Sequence, residues 1–309
     1  MDYVNYETNS DEKLSYENEM NKERYMKTGV YKISPPIIKP SKLACKERGG
    51  VGRNLSEGWG LNFSIGCSHG CIFCYADQIH RRRLGKQISH IPWGKYFYIP
   101  KNFLEVLQKT PWEKWKGKEV LMSATHDPYQ KDLSGYARKI LKIALPKGVK
   151  FCIQTRSLRV LNDMDLLIKF KEQIRVQISI ATIHREFSKI IEPYVAPPHL
   201  RLKVLKSFNK ENINTGVVVA PIFPSNKYRP HVYEDLELIF EQLSKIHPNC
   251  IFGETLHLRG RNMKQIEEKL DKKFSSDELN NFDKDTGKFF LNLMDEYGLH
   301  GEWWPEHRK

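Results

Sequence analysis

A chain of 309 residues, 40% of them hydrophobic, can bury a sizeable core, which excludes a fibrous or largely disordered protein and fits one α/β barrel or two smaller domains. No run of about 18 apolar residues occurs, and "MDYVNYETNSDEKLSYENEM" carries no apolar segment behind a basic one, so a soluble, cytoplasmic chain with no membrane partner is expected. A formal net charge of +13 is unusual for a handler of small neutral molecules alone and favours approach to a polyanion, although lysines spread along the chain fit a general basic bias equally well.

In chain order, residues 1–35 are polar and poor in aliphatics, too poor to offset the entropy of ordering, and read as a mobile or peripheral arm. "KISPPIIKPSK" then forms an extended lead-in. Strands are predicted at "WGLNFSI" (59–65), "KEVLMSA" (118–124), "KFCIQT" (150–155), "IRVQISI" (174–180), "NTGVVVAPI" (214–222) and "CIFGETL" (250–256), with Pro221 and Pro224 ending the fifth. Helical patterns fill the intervals: "PKNFLEVLQKT", "LSGYARKILKIAL", "LNDMDLLIKFKE", "PHLRLKVLKSFNKEN" and "HVYEDLELIFEQLSKI". The alternation implies parallel strands joined by right-handed crossovers, in a doubly wound sheet or a full or partial barrel over residues 36–260. Residues 261–309 form an extension with one long helix, "SSDELNNFDKDTGKFFLNLMDEYG", N-capped by Ser276. An aromatic tail, "HGEWWPEH", is expected to lie across the barrel's open side or mouth.

The chemistry-bearing stretch is "GCSHGCIFCYAD", which places Cys67, Cys71 and Cys74 in a CxxxCxxC spacing. In a reducing compartment clustered cysteines read as metal ligands, and Cys152 and Cys250, inside strands, as small hydrophobes. Structural zinc needs a fourth ligand, for which His69 and His80 are the near candidates, but zinc sites usually use two separated pairs that this chain lacks. The alternative is a 4Fe-4S cluster with one iron free of protein ligands. Gly66 and Gly70 suit the tight turns of a wrapped loop. "HRRRLGK", directly after it, reads either as cations for a phosphate backbone or as a solvated helix face.

A CxxxCxxC loop after the first strand of a βα barrel, with Phe73 before the last cysteine, resembles the radical S-adenosylmethionine superfamily. Together with "ATHDPYQ", "IQTRS", "ISIAT" and "IIEPYVAPPHLRLKVLKSFNKENINTGVVVAPIFP", it looks like the spore photoproduct lyase-like family within it. The resemblance implies a partial TIM barrel of (β/α)6 type, a 4Fe-4S cluster on Cys67, Cys71 and Cys74, and S-adenosyl-L-methionine on the open iron. It implies reductive cleavage to a 5′-deoxyadenosyl radical, with the electron coming from a ferredoxin or flavodoxin. It sets His126 and Asp127 at the methionyl end, Arg156 at the carboxylate, Ser179 at the ribose, and Phe73 beside the cluster or adenine. In the lyase a cysteine and two tyrosines relay hydrogen. Here the cysteine position falls on Ala124, one tyrosine position on Phe73, and only Tyr75 is kept, so Tyr75 is the candidate catalytic residue of a different reaction.

The expected substrate is a nucleic acid, DNA or RNA, with a target base single-stranded or flipped. Tyr129, Trp303 and Trp304 are stacking platforms or simply packed aromatics. A peptide or small metabolite is the alternative substrate, and a zinc-stabilised, non-enzymatic nucleic-acid-binding module the alternative of another class. Glu192, in "IIEPY", fits either a site role or a turn and is not counted among the candidates.

Overall fold

A computed structural model describes residues 26–34, 37–40, 58–257 and 262–305. Its strands are β1 Lys27–Tyr31, β2 Ile38–Pro40, β3 Trp59–Leu61, β4 Ile65–Gly66, β5 Tyr96–Pro100, β6 Glu119–Met122, β7 Lys150–Thr155, β8 Ile174–Ser179, β9 Asn214–Ile222, β10 Cys250–Thr255 and β11 Gly301–Trp303. The main sheet runs β11-β10-β9-β8-β7-β6-β3-β2. From β3 to β11 every pairing is parallel, and β2 alone is antiparallel. This is a partial TIM barrel: six of these strands are those predicted, in sequence order around the sheet.

Alternation along each strand explains the two layers. Val120, Phe151, Ile153, Val176, Ile178, Val217, Val219 and Ile251 face the helices in one large core. Leu121, Cys152, Val218, Ala220 and Phe252 form a separate interior cluster. Covered on both faces, the strands read as near-continuous apolar runs. The helices meet them with spaced stripes: Ala137, Ile140, Leu141 and Ala144 in Ser134–Ala144, and Leu236, Ile239, Phe240 and Leu243 in Val232–Ser244.

Four features depart from the sequence expectation. The predicted strand 59–65 is two short strands, because the chain leaves the main sheet after Leu61 and joins a second sheet, ordered β1-β5-β4, at Ile65. That sheet uses Lys27–Tyr31 from the segment expected as an arm; residues 1–25 lie outside the described residues. Pro221 does not end its strand: β9 continues to Ile222, and its ladder with β10 shifts between Gly253 and Thr255. The helix Ser276–Glu296 is capped by Ser275, not Ser276. Ser275 Oγ accepts from the Glu278 N–H at 3.1 Å, the cap contact that satisfies one of the helix's free N–H groups.

The aromatic tail supplies β11, parallel to β10. Trp304 then turns into the barrel interior and stacks on Phe252, ring centres 4.5 Å apart. The end of the quoted tail, from residue 306, lies outside the described residues.

Candidate active site

The cysteine loop starts at β4, which is hydrogen-bonded to β5 rather than to the barrel. Two glycines make its path possible. Gly66 and Gly70 have φ of 87° and 62°. A Cβ on Gly66 would stand 2.5 Å from the Tyr96 carbonyl oxygen, and one on Gly70 2.9 Å from the Tyr194 ring, where only glycine fits. Gly70→Ala is therefore expected to cost about 1–3 kcal/mol, seen as a lower Tm and a lower iron content after reconstitution.

Cys67 and Cys71 are buried and Cys74 is half-buried. Burial pushes the Cys67 thiol up to about 12, with the Asp127 charge adding to the effect, and raises Cys71 and Cys74 as well. The surroundings pull the other way. Backbone N–H groups of Asp127 and His69 face the Cys67 sulfur, those of Ala76 and Asp77 at a helix N-terminus face Cys74, and the Arg156 cation acts on both Cys71 and Cys74. Donors directed at buried sulfurs are the setting for thiolates bound to a cationic centre, whose binding displaces the thiol protons.

A structural zinc ion takes four protein ligands, and both near histidines have other partners: His69 lies 3.5 Å from Asp127, and His80 Nε2 lies 3.1 Å from the Thr125 carbonyl oxygen. A cube of four irons takes a cysteine at each of three corners and leaves the fourth corner without a protein ligand.

The strand ends after β6, β7 and β8 converge on the loop. Asp127 is a hub: it accepts from Tyr129 N at 2.8 Å, from Thr155 Oγ1 at 2.7 Å and from Arg156 N at 2.7 Å. Its carboxylate ties the β6 loop to the end of β7, so its own place is structural as well as adjacent to Cys67. Arg156 stretches over the Phe73 ring at 5.5 Å and donates from Nε to Glu192 at 2.7 Å and from Nη2 to the Ala220 carbonyl at 3.3 Å. Ser179 Oγ accepts from Gln154 Nε2 at 3.3 Å. His126 sits apart from these groups, edge-on to Phe63 at 4.7 Å, and burial lowers it to about 3; it is a neutral ring in the packing between loop and helices.

Tyr75 and Ala124 meet: the Tyr75 hydroxyl donates to the Ala124 carbonyl. Asn62 organises that turn, its Oδ1 accepting from Ala124 N at 2.9 Å and Thr125 Oγ1 at 3.1 Å. The other aromatic candidates are packed. Tyr129 is buried with its hydroxyl on Asp163 at 2.9 Å, Trp303 lies against Phe290, and Trp304 fills the interior. Cys152 is buried in that same interior cluster.

Sequence reasoning passed over Glu192 and Arg201. Glu192 is fully buried between two cations, 2.7 Å from Arg156 Nε and 2.5 Å from Arg201 Nη2, and Arg201 Nη1 reaches the Ser179 carbonyl at 2.5 Å. The signal was present in "IIEPY", an acid inside an apolar run. Burial opposes the Glu192 charge, but Arg201 and Arg156 together hold its carboxyl below the usual range. The basic run also divides: Arg81 is tied to Asp77 at 2.8 Å and to the Ile88 and Ile91 carbonyls, whereas Arg82, Arg83 and Lys86 are exposed.

A family model, the Radical SAM superfamily, matches residues 61–236. The chain is 51% identical over 287 residues, 92% of its length and 94% of the relative's, to an uncharacterized protein of Acidianus two-tailed virus. It is 31% identical over 167 residues, 53% of its length and 60% of the relative's, to an uncharacterized protein of Methanocaldococcus jannaschii. Among solved structures, a spore photoproduct lyase variant with bound AdoMet and dinucleoside spore photoproduct is similar at a TM-score of 0.62 and 15% identity, over 94% of this chain and 83% of that one. Streptococcus suis SuiB bound to S-adenosylmethionine is similar at 0.51 and 13% identity, over 79% and 48%. Both are likenesses of fold. No helix among the described residues is long and apolar enough to cross a membrane.

Proposed function

The chain belongs to the radical SAM superfamily, and from that premise we propose that it is an enzyme that cleaves S-adenosyl-L-methionine reductively and acts on a nucleic acid. One observation carries the reading: two buried thiols and one half-buried on a tightly turned loop, each facing backbone donors or Arg156, at the end of the barrel where the strand ends gather. Cys67, Cys71 and Cys74 would hold a 4Fe-4S cluster, leaving one iron for the cofactor. When bound, this pair supplies one-electron chemistry that yields a 5′-deoxyadenosyl radical; the protein supplies orientation and exclusion of water.

Within that division, Arg156 would face the cofactor's carboxylate. Its Nε edge is fixed by Glu192, while Nη1 has no hydrogen bond among the described residues and is available to an anion. Ser179, at the end of β8, is the ribose contact in this reading, Phe73 the apolar wall under Arg156, and Asp127 the residue that holds the loop against the strand ends. Tyr75 is proposed as the hydrogen-donating side chain next to the substrate, since Ala124, its neighbour, carries no thiol or hydroxyl hydrogen to relay. A different reaction from that of spore photoproduct lyase follows.

The nucleic-acid substrate is supported by the formal charge of +13 and by the dinucleoside bound to the structurally similar lyase. A reducing, cytoplasmic setting suits the free thiols, and a ferredoxin or flavodoxin the required potential.

Anaerobic reconstitution with iron and sulfide, followed by dithionite and S-adenosylmethionine, is expected to release 5′-deoxyadenosine; none from a fully loaded protein would refute the proposal. Arg156→Ala should weaken S-adenosylmethionine binding about 10- to 100-fold, the loss of a charge-assisted contact, measured by calorimetry. Binding of single-stranded DNA or RNA should weaken steeply with salt; no binding at low salt would shift the substrate to another class.

A further inference from the structure

We propose that the outer face of the helix Ala76–Leu84, with Lys27 and Lys86, is the docking surface for an acidic one-electron donor protein. The inference rests on the cluster chemistry proposed above. Ile79, Arg82 and Arg83 stand at i, i+3 and i+4 on one side of the helix, and all three are exposed, Ile79 by 43%. Lys86 follows in the next turn, and Lys27 Nζ reaches the Gln87 carbonyl at 3.4 Å. No acidic side chain of the helix reaches this face: its one acid, Asp77, is buried and paired with Arg81 at 2.8 Å. Arg82, Arg83 and Lys86 have no ion pair among the described residues.

The cysteine loop has two sides. Cys71 is nearest in charge to Arg156 and Glu192, at the barrel end. Cys74, which the Arg156 charge also reaches, packs against the apolar cluster on the side of the small sheet, which holds Cys67, Trp93 and Tyr96. The basic helix covers that second side: the Arg83 charge is felt at Tyr31, and His80, on the inner side of the same helix, stacks on Trp93 at 6.0 Å, which meets Tyr96 at 5.8 Å. With substrate and cofactor placed at the barrel end by the proposed function, the opposite side is the one left to a protein donor. The His80, Trp93 and Tyr96 rings follow one another behind the basic helix, and Cys74 packs against the apolar cluster that holds Trp93 and Tyr96, the electron's route in this proposal. The donor's reduced iron–sulfur or flavin centre loses one electron and the cluster gains it; no bond changes at this face.

An apolar residue ringed by unpaired cations matches a small protein–protein interface with an acidic partner. A phosphate backbone would leave Ile79 unused, and the face offers no exposed aromatic for stacking bases.

The test compares Arg82→Glu/Arg83→Glu with Lys203→Glu/Lys206→Glu, a variant of equal charge with the changes on exposed positions of the helix Pro198–Lys210. Each full-length holoprotein is assayed for 5′-deoxyadenosine with a reduced acidic bacterial ferredoxin and, separately, with dithionite. Ferredoxin affinity is measured by calorimetry, and single-stranded DNA and RNA affinity by anisotropy. The expected result is a roughly tenfold or greater loss of ferredoxin-driven rate and affinity at low salt in the first variant only, with the dithionite rate and nucleic-acid affinity kept. Equal loss in both variants, unchanged ferredoxin binding, or loss of nucleic-acid binding with ferredoxin binding intact would overturn the inference. The calorimetric arm needs no turnover, so a failure of cofactor cleavage in the wild type remains separate from a failure of docking.

Discussion

Cys71→Ala is expected to remove the brown colour, the bound iron (about four per chain in the loaded wild type) and S-adenosylmethionine cleavage together. Cys71 is buried and tied at both ends of its turn: the Ile72 N–H donates to the Ile191 carbonyl at 3.0 Å and the Cys74 N–H to the Cys71 carbonyl at 3.1 Å. Those contacts are backbone ones and survive the substitution. The loss of one small apolar side chain should cost the apoprotein only about 1 kcal/mol, so a normal thermal transition with no iron is the signature of a ligand. Cys152→Ala is the matched control, since Cys152 packs among Leu121, Val218, Phe252 and Trp304 inside the barrel. It should keep its iron, and a Cys71→Ala protein that also kept it would remove Cys71 from the ligand set.

The barrel was legible because covered parallel strands announce themselves as short apolar runs at even intervals, as "KFCIQT" and "IRVQISI" do. The small sheet was not. β4 is two residues long, and "YFYIP" carries aromatics whose partners, Tyr31 and Trp93, lie far along the chain or in an irregular loop. Its role emerges only in three dimensions, where it holds the cysteine loop against the barrel. In the site, spacing revealed the thiols, and the strand-end pattern pointed to Asp127, Arg156 and Ser179. Pattern alone did not show the partners these groups take within the protein: Asp127 accepts from Tyr129 N, Thr155 Oγ1 and Arg156 N, and the buried His126 ring meets Phe63 edge-on. Glu192 was left out of the candidates because a single acid before a proline resembles a turn until its two guanidinium partners, from residues 36 and 9 positions away, are seen.

That triad carries the second large effect. Glu192→Ala leaves the Arg201 cation fully buried and the Arg156 cation largely so, with no counter-charge, and is expected to destabilise the protein by about 3–5 kcal/mol. Glu192→Gln keeps the shape and one acceptor, so its deficit should be smaller but of the same origin. The pH dependence has a definite sign. The Glu192 carboxyl titrates lower in the folded than in the unfolded chain, so its contribution is complete above the unfolded carboxyl range of about 4.3 and is lost as pH falls through the lower, folded value. The stability gap between wild type and Glu192→Gln, measured by urea unfolding, should therefore be constant near neutrality and shrink in acid; a gap that widened in acid would contradict the pairing. Glu192 also fixes the Nε edge of Arg156, so Glu192→Gln should weaken S-adenosylmethionine binding even where the fold is intact. Glu192→Met combined with Arg201→Met separates these roles. Replacing buried charges by apolar side chains of similar volume is often neutral, so this double variant should regain much of the lost stability. Arg156 would still lack the carboxylate that holds it over Phe73, and the cofactor affinity should stay low. Recovery of both together would reduce Glu192 to a packing role.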